Sequence, residues 1–430
     1  MRFGFFSRQR FLANVEPGTP RHELSWVLLN QAALSFGAAV IVVLLSWFLS
    51  RTTFGSLRYL TSVLSILTLF SLPGVMPLVL QQMPALGRKA LRDALATQIR
   101  WGLAGMLGAL GFAAYYWYLR ETDLALGFAI AGLCAPIANL YLMPGTVLAG
   151  LRRFKQKFFV DAGILGTTAA AAAIGSYATR SIAGTMGLYF GVQAFATAFF
   201  LLRVFATLPE ESAPAQMPPE VDLRYAKRLT VFQSALTLLP AFEKIAVFLL
   251  LGPAALALFV VAALPMEHVR SAFRSLAQFF VMPHLAEAEE GSSARRQLFL
   301  LAGGIALAGM AVAVVFVFFG MPFLFPKYEL AVPLAGLLSL SLVSLVTYVF
   351  VLEFIERRRV YALFGYLALL AVLSLGFIFV GATHAGVRGV VWAKVAAELA
   401  SAVALILIHR FARLRGAAAQ QKEDGLYFDR

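Results

Sequence analysis

The chain has 430 residues, 60% of them hydrophobic and only 13% charged, whereas a soluble globular chain is nearer half apolar and a quarter charged. Eight segments, 24–50, 59–87, 124–151, 181–202, 245–266, 297–326, 330–352 and 360–387, contain no Asp, Glu, Lys or Arg; a run of ~18 apolar residues crosses a bilayer core, which excludes a soluble protein, a disordered chain and a single-anchor receptor. The net charge of +14 would suggest nucleic acid in a soluble protein, but here it marks cytoplasmic loops rich in Lys and Arg, and no nucleic-acid partner is expected.

Twelve helices are predicted, over 24–49, 59–81, 101–119, 124–146, 158–179, 181–203, 229–249, 254–282, 297–321, 330–353, 360–381 and 388–409. A membrane β-barrel would show alternating polarity instead. The segment 1–23, with Arg2, Arg8 and Arg10, lacks the short apolar core and small-residue cleavage site of a signal peptide and reads as a cytoplasmic N-terminal segment. The first helix carries Asn30 and Gln31, and the second is flanked by Arg51 and Arg58. Pro73 and Pro77 are expected to kink the second helix, and Pro265 the eighth. Pro136, Pro144 and Pro240 add further breaks. Trp26, Trp47, Trp101 and Trp117, with Tyr115, Tyr116 and Tyr118, sit near span ends as an interfacial belt. The single Cys134 permits no intrachain disulfide and no cysteine metal cluster; neither a metal nor another cofactor is expected.

The polar stretch 207–228, with Pro209, Pro214, Pro218 and Pro219, reads as a cytoplasmic linker. It divides the chain into a lobe of six helices at 24–206 and a second at 229–410, followed by a cytoplasmic tail at 411–430. Two such halves are a common transporter plan. Val75-Met76-Pro77 and Val281-Met282-Pro283 end the second helix of each half, a faint echo of duplication. With the N-terminus inside, 25 basic residues fall on the cytoplasmic side and 6 outside, which puts both termini in the cytoplasm.

The segment Phe48-Leu49-Ser50-Arg51-Thr52-Thr53-Phe54-Gly55 resembles the end of the first helix in polysaccharide flippases. Leu148-Ala149-Gly150-Leu151-Arg152-Arg153-Phe154 is similar to the stretch after their fourth helix. Leu250-Leu251-Gly252-Pro253-Ala254-Ala255 resembles their turn between helices seven and eight, and Met282-Pro283-His284-Leu285-Ala286-Glu287 the end of their eighth. Ala257-Leu258-Phe259 departs from the Gly-x-Tyr often found in that family. In order and spacing, over about 24–412, the chain resembles the MOP superfamily in its Wzx-like branch of polysaccharide and O-antigen flippases. The resemblance implies an all-α polytopic membrane protein with two six-helix lobes around a central cavity. It further implies alternating access in a bacterial cytoplasmic (inner) membrane. The substrate would be a polyprenyl-diphosphate-linked oligosaccharide moved from the inner to the outer leaflet. Membrane lipids and other polysaccharide-assembly membrane proteins would be its partners.

A diphosphate crossing a low-dielectric layer needs fixed cations. The eighth helix carries Glu267, His268, Arg270 and Arg274, with Glu267, Arg270 and Arg274 on one face at i, i+3, i+7. Glu267 lies roughly 20 Å and Arg274 roughly 30 Å along it. The seventh helix has Glu243 and Lys244, and the twelfth Lys394 and Glu398. Arg270 and Arg274, with Lys244, are candidate diphosphate contacts, since an Arg fork suits phosphate. The competing reading is self-neutralisation: Glu267 with Arg270, Glu243 with Lys244, Lys394 with Glu398. His268 reads as a polar core residue more than a proton relay. Arg51 is a release-side contact or an interfacial anchor. Asn30 and Asn139 either bind sugar hydroxyls or tie helices together.

The nearest rival is a MATE-type exporter of cationic drugs, which needs a carboxylate in the first lobe. Residues 24–50 have none, and Asp161, near the cytoplasmic end of the fifth helix, is the sole acidic candidate of that lobe. A membrane enzyme of polysaccharide assembly is the second rival. The outer loops are short, and no HExxH, Ser-His-Asp setting or Asp-rich metal motif occurs, so an enzyme is not expected.

Overall fold

The structure, a computed structural model, describes residues 20–72, 75–208, 223–277, 293–356 and 360–428. The described residues are helical throughout, with no strand among them. The linker prolines, Pro73, the Met282-Pro283-His284 motif, Arg357 to Arg359 and the N-terminal arginines Arg2, Arg8 and Arg10 lie outside the described residues. The chain divides into two compact units, Met1–Val221 and Asp222–Arg430.

In the first unit, α1 (Pro20–Phe48) and α2 (Arg51–Leu67) are separated by two residues. Ser50 is extended, and its hydroxyl accepts the Thr53 N–H at 3.1 Å, an N-cap that starts a helix on the spot. The second helix therefore begins eight residues earlier than the predicted 59, and Arg51 and Arg58 stand on its first two turns instead of flanking it. It runs into a 3-10 turn, Thr68–Ser71, and stops at Leu72 in the left-handed region.

α3 (Val75–Tyr118) is a continuous helix of 44 residues, about 66 Å long and twice a bilayer core. Residues 82–100, expected as a loop, are helical because Ala, Leu, Arg and Gln dominate them. Leu91, Ala94 and Gln98 bury one face at spacings of three and four, while Lys89, Arg92, Asp93 and Arg100 stay exposed. The predicted third helix is the second part of α3.

α4 (Thr122–Ala138) and α5 (Met143–Gly150) form one broken span, since Pro144 opens α5 without an N–H to offer. α6 (Phe154–Thr179) and α7 (Ile182–Thr207) follow. Asp123 binds the N-terminus of α7, accepting from the Ile182 N–H at 2.8 Å and the Ala183 N–H at 3.0 Å. Val79, Met83, Leu91, Met143, Val147, Val160, Ile164 and Val204 make a core. Tyr115, Trp117 and Tyr118 are exposed as a belt requires, but Tyr116 is buried: its hydroxyl bonds that of Tyr59 at 2.8 Å, and its ring stacks on Phe128. Trp26 packs on Phe158.

In the second unit, α8 (Leu223–Leu251) and α9 (Pro253–Leu276) meet at Gly252. Its φ of +83° is one that a side chain resists, and Pro253 restarts the helix at its first position. Pro240 and Pro265 lie inside continuous helices. α10 (Ser293–Val315) continues through a π-helical turn, Phe316–Gly320, and a single turn, Met321–Leu324. α11 (Ala331–Ser339) and α12 (Ser344–Glu356) are joined by a 3-10 turn, Leu340–Val343. α13 (Val360–Phe428) is two helices, broken at Ala385 and at Gly386, where φ is +57°. Phe232, Phe354, Leu363 and Leu405 anchor a core in this unit.

Among the described residues, ten helical stretches can cross a membrane by length and composition. The last, Tyr361–Arg410, spans 50 residues, and its break makes it two crossings, giving eleven. α3 is not among them, although 101–118 carries no charge. The chain is a multi-pass, all-helical membrane protein.

Candidate functional site

Four ionisable residues of the second unit, Glu243, Arg270, Lys394 and Glu398, form a linked set on α8, α9 and α13. Glu243 is 2% exposed. It is bridged by the Lys394 ammonium and accepts the Ser374 hydroxyl at 2.9 Å. Lys394 also reaches Glu398 at 3.3 Å. Glu398 takes the Arg270 guanidinium at 2.9 Å and the Ser344 hydroxyl at 3.0 Å. Arg270 in turn donates to the Ser341 hydroxyl at 2.7 Å. The chain of bonds runs Ser374, Glu243, Lys394, Glu398, Arg270, Ser341, so each carboxylate has a cation and a hydroxyl donor. That is what buried charges require to persist.

Beside it, the Lys244 ammonium pairs with Glu267 at 2.9 Å. Two expected pairings therefore give way. Glu267 bonds Lys244 across two helices, not Arg270 on its own helix, and Glu243 bonds Lys394, not Lys244. The Lys394–Glu398 pair at i, i+4 does form. Interhelical partners win because α8, α9 and α13 bring opposite charges together with full geometry, while a pair along one helix is worth only ~0.3–0.5 kcal/mol.

Arg274 stands apart. Its guanidinium lies 5.7 Å from the centroid of the Tyr348 ring, and its Nε is buried without a hydrogen-bond acceptor among the described residues. It also sits in the last turn of α9, where a cation offsets the helix dipole. The site thus holds four cations, Lys244, Arg270, Arg274 and Lys394, against three carboxylates, Glu243, Glu267 and Glu398. His268 is half-buried on α9.

The remaining candidates belong to the first unit. The Asn30 amide donates to Asp161 at 3.1 Å, and Lys157 pairs with the same oxygen, Oδ2. Asp161 Oδ1 is buried without a hydrogen-bond partner among the described residues. It lies against Gly145, where a Cβ would collide with it. Asn30 is thereby held in a helix-tying bond. Asn139 donates to Ser71 at 3.3 Å, a second such tie. Arg51 is exposed at the first position of α2, and Arg58 lies over the Phe54 ring at 5.5 Å.

Sequence reading passed over Glu353 and His409. Glu353 on α12 is 1% exposed and bonds His409 on α13 at 2.9 Å. A lone Glu at the edge of an apolar run was the available signal. Ser341, Ser344 and Ser374 gave none, because a serine in an apolar helix is unremarkable until its neighbour is known.

The sequence matches no protein-family model and no curated protein. The fold, however, has solved counterparts. An inward-facing multidrug resistance MATE family transporter of the MOP superfamily superposes with a TM-score of 0.64 at 13% identity, over 90% of this chain and 96% of that one. An outward-facing one gives 0.61 at 13% identity, over 95% and 97%. A MOP superfamily transporter from Pyrococcus furiosus, described as having a binding pocket of reversed polarity that suggests a different function, gives 0.55 at 12% identity, over 92% and 96%. The chain has the MATE/MOP transporter fold.

Proposed function

We propose that this chain is a membrane transporter that works by alternating access. Its substrate is an anionic lipid, a polyprenyl-diphosphate-linked oligosaccharide, carried from the inner to the outer leaflet of a bacterial cytoplasmic membrane. The observation that carries this reading is the surplus of positive charge in the second unit, centred on Arg274, whose buried Nε has no acceptor among the described residues. A diphosphate supplies the missing anion, and two guanidiniums four residues apart on α9 match its two phosphates. The lipid tail needs no pocket, since it can remain in the bilayer while the head crosses. Polysaccharide-assembly membrane proteins are the fitting partners, and Lys244 is a secondary contact within the second unit.

The rival reading, a MATE-type exporter of cations, draws on the fold of the solved counterparts. Against it stands Asp161, the embedded carboxylate of the first unit, which is already bridged by Lys157. A thermal-shift titration of the purified chain separates the two. Polyprenyl diphosphate should raise the melting temperature, and tetraphenylphosphonium should not. Stabilisation by the cation alone overturns the proposal.

A further inference from the structure

We infer that Glu398 is an internal counter-anion that occupies the phosphate place on Arg270, and that substrate binding displaces it from Arg270 and leaves it on Lys394 and Ser344. This deepens the proposed function and rests on it.

Three donors share the Glu398 carboxylate. Arg270 and Lys394 both address Oε1, at 2.9 and 3.3 Å, while Ser344 holds Oε2 at 3.0 Å. If Arg270 leaves, two donors remain, so Glu398 is not stranded as a bare buried charge. Arg270 also keeps an anchor after the exchange. Its Nη2 holds the Ser341 hydroxyl at 2.7 Å, while its Nη1 is the atom given to Glu398. Its Nε is buried without an acceptor among the described residues. An entering phosphate oxygen can therefore replace the carboxylate on a guanidinium that is already aimed. Lys394 stays put, because Glu243 and Ser374 fix the other end of the chain. Arg274, one turn further on and lacking a carboxylate partner among the described residues, takes the second phosphate.

The exchange makes the site selective. A ligand must offer Arg270 more than Glu398 does, and a monoanionic lipid head offers no more than the carboxylate. It also keeps Arg270 paired in the empty transporter, where an unpaired charge would be costly within the membrane.

The test is binding of inorganic pyrophosphate to the full chain in detergent, followed by calorimetry. Removing the competitor with Glu398→Gln should tighten the dissociation constant about tenfold or more, because the fraction of Arg270 available for ligand rises. Glu329→Gln, at an exposed position on the same unit, removes an equal charge and should leave it unchanged. Glu398→Asp keeps the charge but shortens the side chain by one methylene, which loosens its hold on Arg270, and should tighten binding severalfold. Glu398→Gln that binds no tighter than wild type at an unchanged melting temperature overturns the exchange. So does Glu398→Asp with wild-type affinity, which would reduce Glu398 to a mere source of field. If Glu398→Gln does not fold, Glu398→Asp decides alone. Binding in wild type that ignores both Glu398 changes refutes the exchange and leaves the transport reading standing. Absence of binding in every form refutes both.

Discussion

Lys394→Met probes the linked charges most sharply. Lys394 is 8% exposed and stands between Glu243, 2% exposed, and Glu398, 9% exposed. Without its ammonium, Glu398 retains Arg270 and Ser344, but Glu243 keeps only the Ser374 hydroxyl among the bonds described. Stranding one member of a buried pair costs about 3–5 kcal/mol. For a unit of roughly 200 residues each kcal/mol moves the melting temperature by about 2–4 °C, so a drop on the order of 10 °C is expected. The double change Lys394→Met with Glu243→Gln removes the stranded charge and keeps an acceptor for Ser374. Replacing a whole buried pair with neutral groups is near neutral, so the double variant should regain most of the loss. Thermal unfolding of the four forms in one detergent closes the cycle. A single variant melting within about 2 °C of wild type, or a double variant no better than the single, refutes the assignment of Lys394 as the partner of Glu243.

Glu267→Gln combined with Lys244→Met should fold better than either alone, whereas Glu267→Gln combined with Arg270→Gln should show no rescue; expression and melting of the four variants check the interhelical pairing. Gly145→Ala should destabilise the first unit by about 1–3 kcal/mol, since its methyl meets the Asp161 carboxylate, and an unchanged melting curve would deny that close approach. Arg274→Gln should weaken pyrophosphate binding at least tenfold without lowering the melting temperature by more than a few degrees, because it leaves no carboxylate unpaired; equal affinity in the variant removes Arg274 from the site. In a Cys134→Ala background, cysteines placed at Lys155 and Lys327 should be labelled from opposite sides of the membrane, the first from the cytoplasm; labelling from one side contradicts the helix order.

Charge-free runs announced most of the helices, because hydropathy is a property of each segment alone. Helix starts and breaks were less legible. The early start of α2 depends on the Ser50 cap, and the length of α3 on an amphipathic stretch whose charges resemble a loop. The site was half legible for the same reason. Single-sequence reading found Glu243, Lys244, Glu267, Arg270, Lys394 and Glu398, since charges in apolar runs stand out. It paired them by proximity along the chain, and of those pairs only Lys394 with Glu398 forms; the other partners are 23 to 151 residues apart. The exceptional status of Arg274 could not be seen until each carboxylate had been assigned to its own cation. Tyr116 failed as a belt residue because a neighbouring Tyr59 is invisible to periodicity.

The most direct test of the account is leaflet exchange in proteoliposomes. A fluorescent polyprenyl-diphosphate oligosaccharide is placed in one leaflet, and its exposure to a membrane-impermeant oxidant of sugars is followed over time. Wild type should move the lipid. Arg270→Ala and Arg274→Ala, reconstituted at equal levels, should move it at least tenfold more slowly, and Arg270→Lys should fall between, because it keeps the charge and loses the fork. Exchange at the wild-type rate in both alanine variants, or none in wild type while tetraphenylphosphonium is transported, contradicts it.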